Sequence, residues 1–212
     1  MNYAVYLFDF DYTLANSEKG IVGCFHKALK NLGYPDVPDE KIRPTIGMPM
    51  EEATSRIIGS ADTAEINAFV ENYRKEADVY MTPNTVFFDD AISTLRALKQ
   101  QGARIAIIST KTRGRIAEKF EQDGVTDAID FIIGREDVRT PKPDPEGILL
   151  AIQRFSMQKA DVLYTGDSFI DAAAAKNAGI DFAAVTTGTT TADAFQSYPH
   201  VRIMQHLKEI LA

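Results

Sequence analysis

"YLFDFDYTL", residues 6–14, reads as a buried strand that runs out into two carboxylates. Tyr6, Leu7 and Phe8 are aromatic or apolar; Asp9 and Asp11 then follow two residues apart, with Thr13 behind them. Comparable runs recur at 104–108, 129–133, 162–165 and 182–185, and the first one extends back to cover 4–8. They are apolar nearly throughout rather than alternating, the pattern of parallel strands buried on both faces of a sheet. Helical patterns lie between them. Residues 91–101 carry Ile92, Leu95 and Leu98 at helical spacing, open after Asp89 and Asp90, and stop at Gly102. Residues 113–122, 144–155 and 172–178 read the same way. Strands alternating with helices predict an α/β fold built on a doubly wound parallel sheet.

One interval breaks the alternation. From Asn16 to about Pro83 no run reads as a strand. Ile21, Phe25, Ala28, Leu29 and Leu32 give one amphipathic helix closed by Gly33, and residues 50–58 give a second. Asp62 with Glu65 resembles a capping box opening a third helix through Ile66, Phe69, Val70 and Tyr73. The expectation is a helical insertion at 16–83, set into a core formed by 1–15 and 84–212.

Composition bounds the function classes. The chain has 212 residues, 45% hydrophobic and 25% charged, as in an ordinary globular protein. Its net charge of −7 offers no general attraction to nucleic acid or to an acidic membrane. No apolar run approaches the roughly 18 residues that span a bilayer. The first residues lack the basic-then-apolar order of a signal peptide. Cys24 is the only cysteine, which excludes an internal disulfide and a thiolate zinc site, and His26, His200 and His206 are scattered. These features predict a cytoplasmic protein without nucleic-acid or membrane partners, and leave its oligomeric state open.

In open α/β sheets ligands bind beyond the carboxyl ends of the strands. Asp9 and Asp11 lie at such an end, as do Ser109 and Thr110 in "IAIIST" and Asp167 in "VLYTGD". "TPKPDP", with Lys142, follows a fourth strand, and Asp171 stands four residues after Asp167. Two carboxylates about 4 Å apart repel by roughly 4 kcal/mol at an effective dielectric of about 20. That is worth about three pKa units, so one lysine cannot keep four aspartates ionised. A divalent cation can, and all-oxygen ligands favour Mg²⁺, which commonly adds a phosphate oxygen to its shell. This points towards a phosphorylated substrate: one carboxylate can attack phosphorus, and the other can serve as acid and base. Ser109, Lys142 and the N–H groups opening the next helix are candidates to hold the phosphate. By themselves Ser109 and Thr110 read as a helix N-cap, and Asp171 as an acid favouring its helix N-terminus.

Taken together, "DFDYTL", "IISTK", "TPKPDP" and "GDSFIDAAAAKNAG" resemble, in that order, the four motifs of the haloacid dehalogenase (HAD) superfamily, in the branch with a helical cap inserted after the first strand. The likeness covers nearly the whole chain and implies a Rossmann-like core. It makes Asp9 the nucleophile and Asp11 the general acid/base. Mg²⁺ would be held by Asp9, the main-chain carbonyl of Asp11 and Asp167, with Asp171 orienting that shell. Ser109, Thr110 and Lys142 would take the phosphoryl group, and Thr13 would tie down the loop. Dehalogenases of the superfamily lack an aspartate two residues after the nucleophile, because halide departure needs no proton. Asp11 therefore implies phosphoryl transfer.

The cap most resembles that of phosphoglycolate phosphatases, through "GMPMEEA". The resemblance implies a Mg²⁺-dependent phosphatase for a small phosphorylated metabolite, phosphoglycolate first. The alternatives are a β-phosphoglucomutase-like phosphotransferase, a pyrophosphatase or a nucleotidase. Outside enzymes, a phospho-accepting receiver-type signalling module shares the acidic rim. In relatives a cap loop contacts the leaving part of the substrate, which here would involve Arg43 or Gly47; read alone, Arg43 is a surface arginine. Tyr12 stands where the family has glycine, and is expected to adopt a permitted backbone rather than a left-handed one, the alternative being that its ring lines the site.

Overall fold

A computed structural model describes residues 2–212. Strand β1 (Val5–Phe8) runs through the acidic loop into β2 (Ala15–Asn16). Helices α1 (Glu18–Asn31), α2 (Asp39–Ile42), α3 (Met50–Ile58) and α4 (Thr63–Tyr80) follow, and β3 (Val86–Phe87) closes the interval. Then come α5 (Ala91–Gln100), β4 (Arg104–Ile108), α6 (Arg113–Gln122) and β5 (Phe131–Ile133). The chain ends through α7 (Glu146–Phe155), β6 (Val162–Gly166), α8 (Phe169–Ala178), β7 (Asp181–Val185), α9 (Ala192–Phe195) and β8 (Arg202–Met204).

The chain forms two compact units, one of residues up to Ala15 with Phe87–Ala212, the other Asn16–Val86. In the first, six parallel strands run in the order β5-β4-β1-β6-β7-β8. Alternation along β1 supplies both faces: Val5 and Leu7 enter one core with Ile108, Ile148 and Tyr164, while Tyr6, Phe8 and Phe10 enter the other with Leu95, Ile107 and Phe120. The doubly wound parallel sheet is thus as expected. Its central strand β1 lies between β4 and β6, where the strand order reverses and the carboxyl ends leave a crevice. The edge strand β8 was not anticipated; Arg202 and Ile203 are only half-buried and give no apolar run.

The second unit is helical. Phe25 of α1 packs on Phe69 and Tyr73 of α4, with ring centroids 5.9 and 4.9 Å apart. Asp62 caps α4 by accepting from the N–H groups of Ala64 and Glu65. Gly23 lets Tyr80 close on α1, since a β-carbon there would lie 2.3 Å from the ring. Cys24 is buried in this packing. Among the described residues no helix is long and apolar enough to cross a membrane.

Candidate active site

Asp9, Asp11, Ser109, Lys142, Asp167 and Asp171 are all buried in the sheet-bearing unit. β1 delivers the first pair: the Asp9 N–H still bonds to the Thr165 carbonyl of β6 at 2.9 Å, so Asp9 is the last residue under the sheet's control. The chain then tightens, with the N–H groups of Thr13, Leu14 and Ala15 all donating to the Phe10 carbonyl. The Thr13 hydroxyl donates to Oδ1 of Asp167 at 3.3 Å, joining the two loops.

Lys142 stands at the centre. Its ammonium donates to Asp9 Oδ1 at 2.8 Å, Asp171 Oδ1 at 2.6 Å and the Tyr164 hydroxyl at 3.0 Å, three acceptors for three protons. The segment carrying it is held on both sides. Glu146 accepts from the N–H groups of Arg139 and Thr140, and the Asn177 amide donates to the Pro143 carbonyl. Asp171 is doubly engaged. It forms a capping box with Ser168, whose hydroxyl donates to Oδ2 at 2.5 Å, while Oδ1 faces Lys142 and the Tyr164 hydroxyl. Only glycine at 166 permits this approach, because a β-carbon there would lie 2.4 Å from Asp171 Cγ.

The charges do not balance. Burial pushes the Asp9 carboxyl up to about 7; Lys142 opposes this and Asp171 adds to it. Burial, then the Asp171 and Asp9 carboxylates, raise Asp167 well above the usual carboxylate range. Burial works against the Lys142 ammonium, but Asp171 and Asp9 outweigh it and raise Lys142. One oxygen each from Asp9, Asp167 and Asp171 lie within 4.8 Å of one another. A buried all-oxygen cluster with too little positive charge suits a hard divalent cation. Since both Asp171 oxygens are engaged by protein donors, Asp9 and Asp167 are the better placed carboxylates for one.

Four residues were not singled out from the sequence. Lys111 donates to both oxygens of Asp11, at 2.6 and 2.8 Å, giving the second aspartate its own cation. Tyr164 joins the Lys142 network from within β6. Beyond β7, Thr187 donates its hydroxyl to the Tyr12 carbonyl, and Gly188 lies against Asp167, where a β-carbon would meet Oδ2 at 1.9 Å. Lys111 sits in a quoted motif, but spacing alone does not say which acid it faces.

Three expectations are corrected. Tyr12 takes φ +59°, in the left-handed region that costs a non-glycine residue about 1–2 kcal/mol. The N-cap of α6 is Thr112, not Ser109 or Thr110; the Ser109 hydroxyl instead accepts from the Lys111 N–H at 3.3 Å. The first N–H of α6, on Arg113, donates to the Glu136 carboxylate at 3.0 Å and is not open to a phosphate. Thr110 is half-buried beside Ser109. Arg43 and Gly47 belong to the helical unit. There Arg43 donates to Glu18 at 2.8 Å and pairs with Asp39 at 3.7 Å, while Gly47 turns the chain with φ +89°.

Residues 6–185 match the family described as haloacid dehalogenase-like hydrolase. The Probable phosphatase IndB of Dickeya dadantii is 31% identical over 209 residues, covering 97% of this chain and 90% of its own. Pyrophosphatase PpaX of Bacillus velezensis is 27% identical, covering 97% and 93%. Among solved structures, a haloacid dehalogenase-like hydrolase from Bacteroides fragilis is 49% identical, with a TM-score of 0.96 over 99% of this chain and all of its own.

Proposed function

Because the chain belongs to the haloacid dehalogenase-like hydrolase family, we propose that it is a Mg²⁺-dependent phosphatase of a small phosphorylated metabolite, with Asp9 as nucleophile. One observation carries the reading. Asp9 and Asp11 share a loop but face different lysines, Lys142 and Lys111, so the two carboxylates lie in different electrostatic surroundings.

In the first step an Asp9 oxygen attacks phosphorus while the ester P–O bond breaks, leaving an aspartyl phosphate. For this step Asp11 must enter protonated, its bonds to Lys111 released, so that it can pass that proton to the departing alkoxide. In the second, Asp11 takes a proton from water, the resulting hydroxide attacks phosphorus, and the acyl phosphate bond breaks to return Asp9 and release phosphate. Lys142 holds Asp9 in place throughout and neutralises charge on the phosphoryl group, and Ser109 and Thr110 would take further phosphoryl oxygens. Mg²⁺, held by Asp9, Asp167 and the Asp11 carbonyl, would supply the positive charge that this cluster lacks. Asp171 fixes Lys142 and the helix start. The helical unit, Asn16–Val86, corresponds to the cap of the family resemblance.

Phosphoglycolate is the leading substrate. A second reading, inorganic pyrophosphate, is favoured by the relative named pyrophosphatase PpaX. The test is phosphate release from phosphoglycolate, pyrophosphate, sugar phosphates and nucleoside monophosphates, each with Mg²⁺ and with EDTA. The expected result is Mg²⁺-dependent turnover of one compound with kcat/KM above about 10⁴ M⁻¹s⁻¹. It should vanish in a folded Asp9→Asn variant; full activity in that variant overturns the nucleophile assignment.

A further inference from the structure

We infer that Thr187 is a positioning residue for the loop that carries Asp9 and Asp11, and that it acts as a pair with Tyr12. The inference rests on the proposed reading of that loop. Tyr12 is left-handed at φ +59°, next to Asp11, with its ring buried. Its N–H donates to the Ala15 carbonyl at 2.7 Å, and its carbonyl accepts the Thr187 hydroxyl. The first lies within the loop and any residue could make it. The second comes from 175 positions away and needs a side-chain donor.

The neighbour of Thr187 fixes what the contact is for. Gly188 packs on Asp167, and Asp167 accepts from Thr13, the residue after Tyr12. Tyr12, Thr187, Gly188, Asp167 and Thr13 therefore form a closed circuit through the loops after β1, β6 and β7. Thr187 sets the spacing of these loops, and with it the separation of Asp9 from Asp167. A glycine at 12 would hold the left-handed angle without help. Tyrosine does not, and the Thr187 hydroxyl is a side-chain donor placed to hold it.

Thr187→Val removes the hydroxyl at nearly constant volume, and Thr187→Ser restores it. Thr187→Val should lower kcat by about tenfold with KM within about twofold, and Thr187→Ser should stay near the parent. The decisive comparison places Thr187→Val on Tyr12→Gly, or on Tyr12→Asn, which also tolerates this angle, should the glycine variant not fold. There the loss in kcat should shrink below about threefold. An unchanged kcat in Thr187→Val, a Thr187→Ser variant as slow as the valine, or the same loss in both backgrounds would overturn the inference. If the parent turns nothing over, the function reading fails separately. The thermal midpoint then decides: Thr187→Val should lower it in the parent and leave it unmoved when residue 12 is glycine or asparagine.

Discussion

Lys111 grips both carboxylate oxygens of Asp11, at 2.6 and 2.8 Å, with both side chains nearly out of solvent. Breaking a buried pair costs more than deleting it, because the remaining charge loses its partner. Lys111→Met should therefore destabilise the protein by about 3–5 kcal/mol, and adding Asp11→Asn should recover part of that loss. Urea unfolding of the single and double variants measures it. If the double variant is no more stable than Lys111→Met, the ion pair is not what keeps Asp11 in place.

Tyr164 gives Lys142 its third acceptor at 3.0 Å and approaches the Ile108 carbonyl at 3.2 Å. Phenylalanine keeps the ring against Phe182, 6.3 Å away, and removes only the oxygen. Tyr164→Phe should lose about 1.5–3 kcal/mol of stability, as for a hydrogen bond to a charged group. With Lys142 less well aimed at Asp9, kcat should fall by about three- to thirtyfold while KM holds within about twofold. Steady-state kinetics decide it; parental kcat would leave Tyr164 with packing alone.

Gly188 faces Asp167 so closely that a β-carbon would sit 1.9 Å from Oδ2. Alanine must push the carboxylate aside, and if Asp167 helps hold the cation, binding weakens. A Mg²⁺ concentration 100-fold above the dissociation constant stabilises a protein by about 2.7 kcal/mol. Mg²⁺ should thus raise the thermal midpoint of the parent, and Gly188→Ala should lose most of that rise. An equal rise in both would remove Asp167 from the metal's ligands.

The sheet was legible because β1, β4 and β6 are buried on both faces and so read as unbroken apolar runs, with their ends marked by Asp9, Ser109 and Asp167. β8 was not, since an edge strand with half-buried Arg202 and Ile203 leaves no such run. Nor was α2, which at four residues is too short for a period to show. In the site, the acids could be found from their spacing at strand ends. Thr187 and Gly188 could not: one bonds to a backbone carbonyl 175 positions away and the other matters for the side chain it lacks. Tyr12 was misread for a related reason. Its backbone angle is set by tertiary bonds, not by the local preference of tyrosine.

His26 bridges Asp36 and Asp39 with its two ring nitrogens, at 2.9 and 2.7 Å. Asp39 raises its pKa most; burial opposes and Asp36 adds to the rise. Arg43 shares Asp39 from the other side, at 3.7 Å. A folded pKa above the unfolded value of about 6.5 means the folded state binds the extra proton more tightly. The stabilisation is then complete below that unfolded value and fades as pH rises through the folded one. Each pair is partly exposed, so the effect is under about 1 kcal/mol per pair. His26→Gln should be less stable than the parent at pH 6 and nearly equal to it at pH 9, read from urea midpoints at the two pH values. A gap of the same size at both would mean that His26 contributes by packing, and that its charge does not tie α1 to the start of α2.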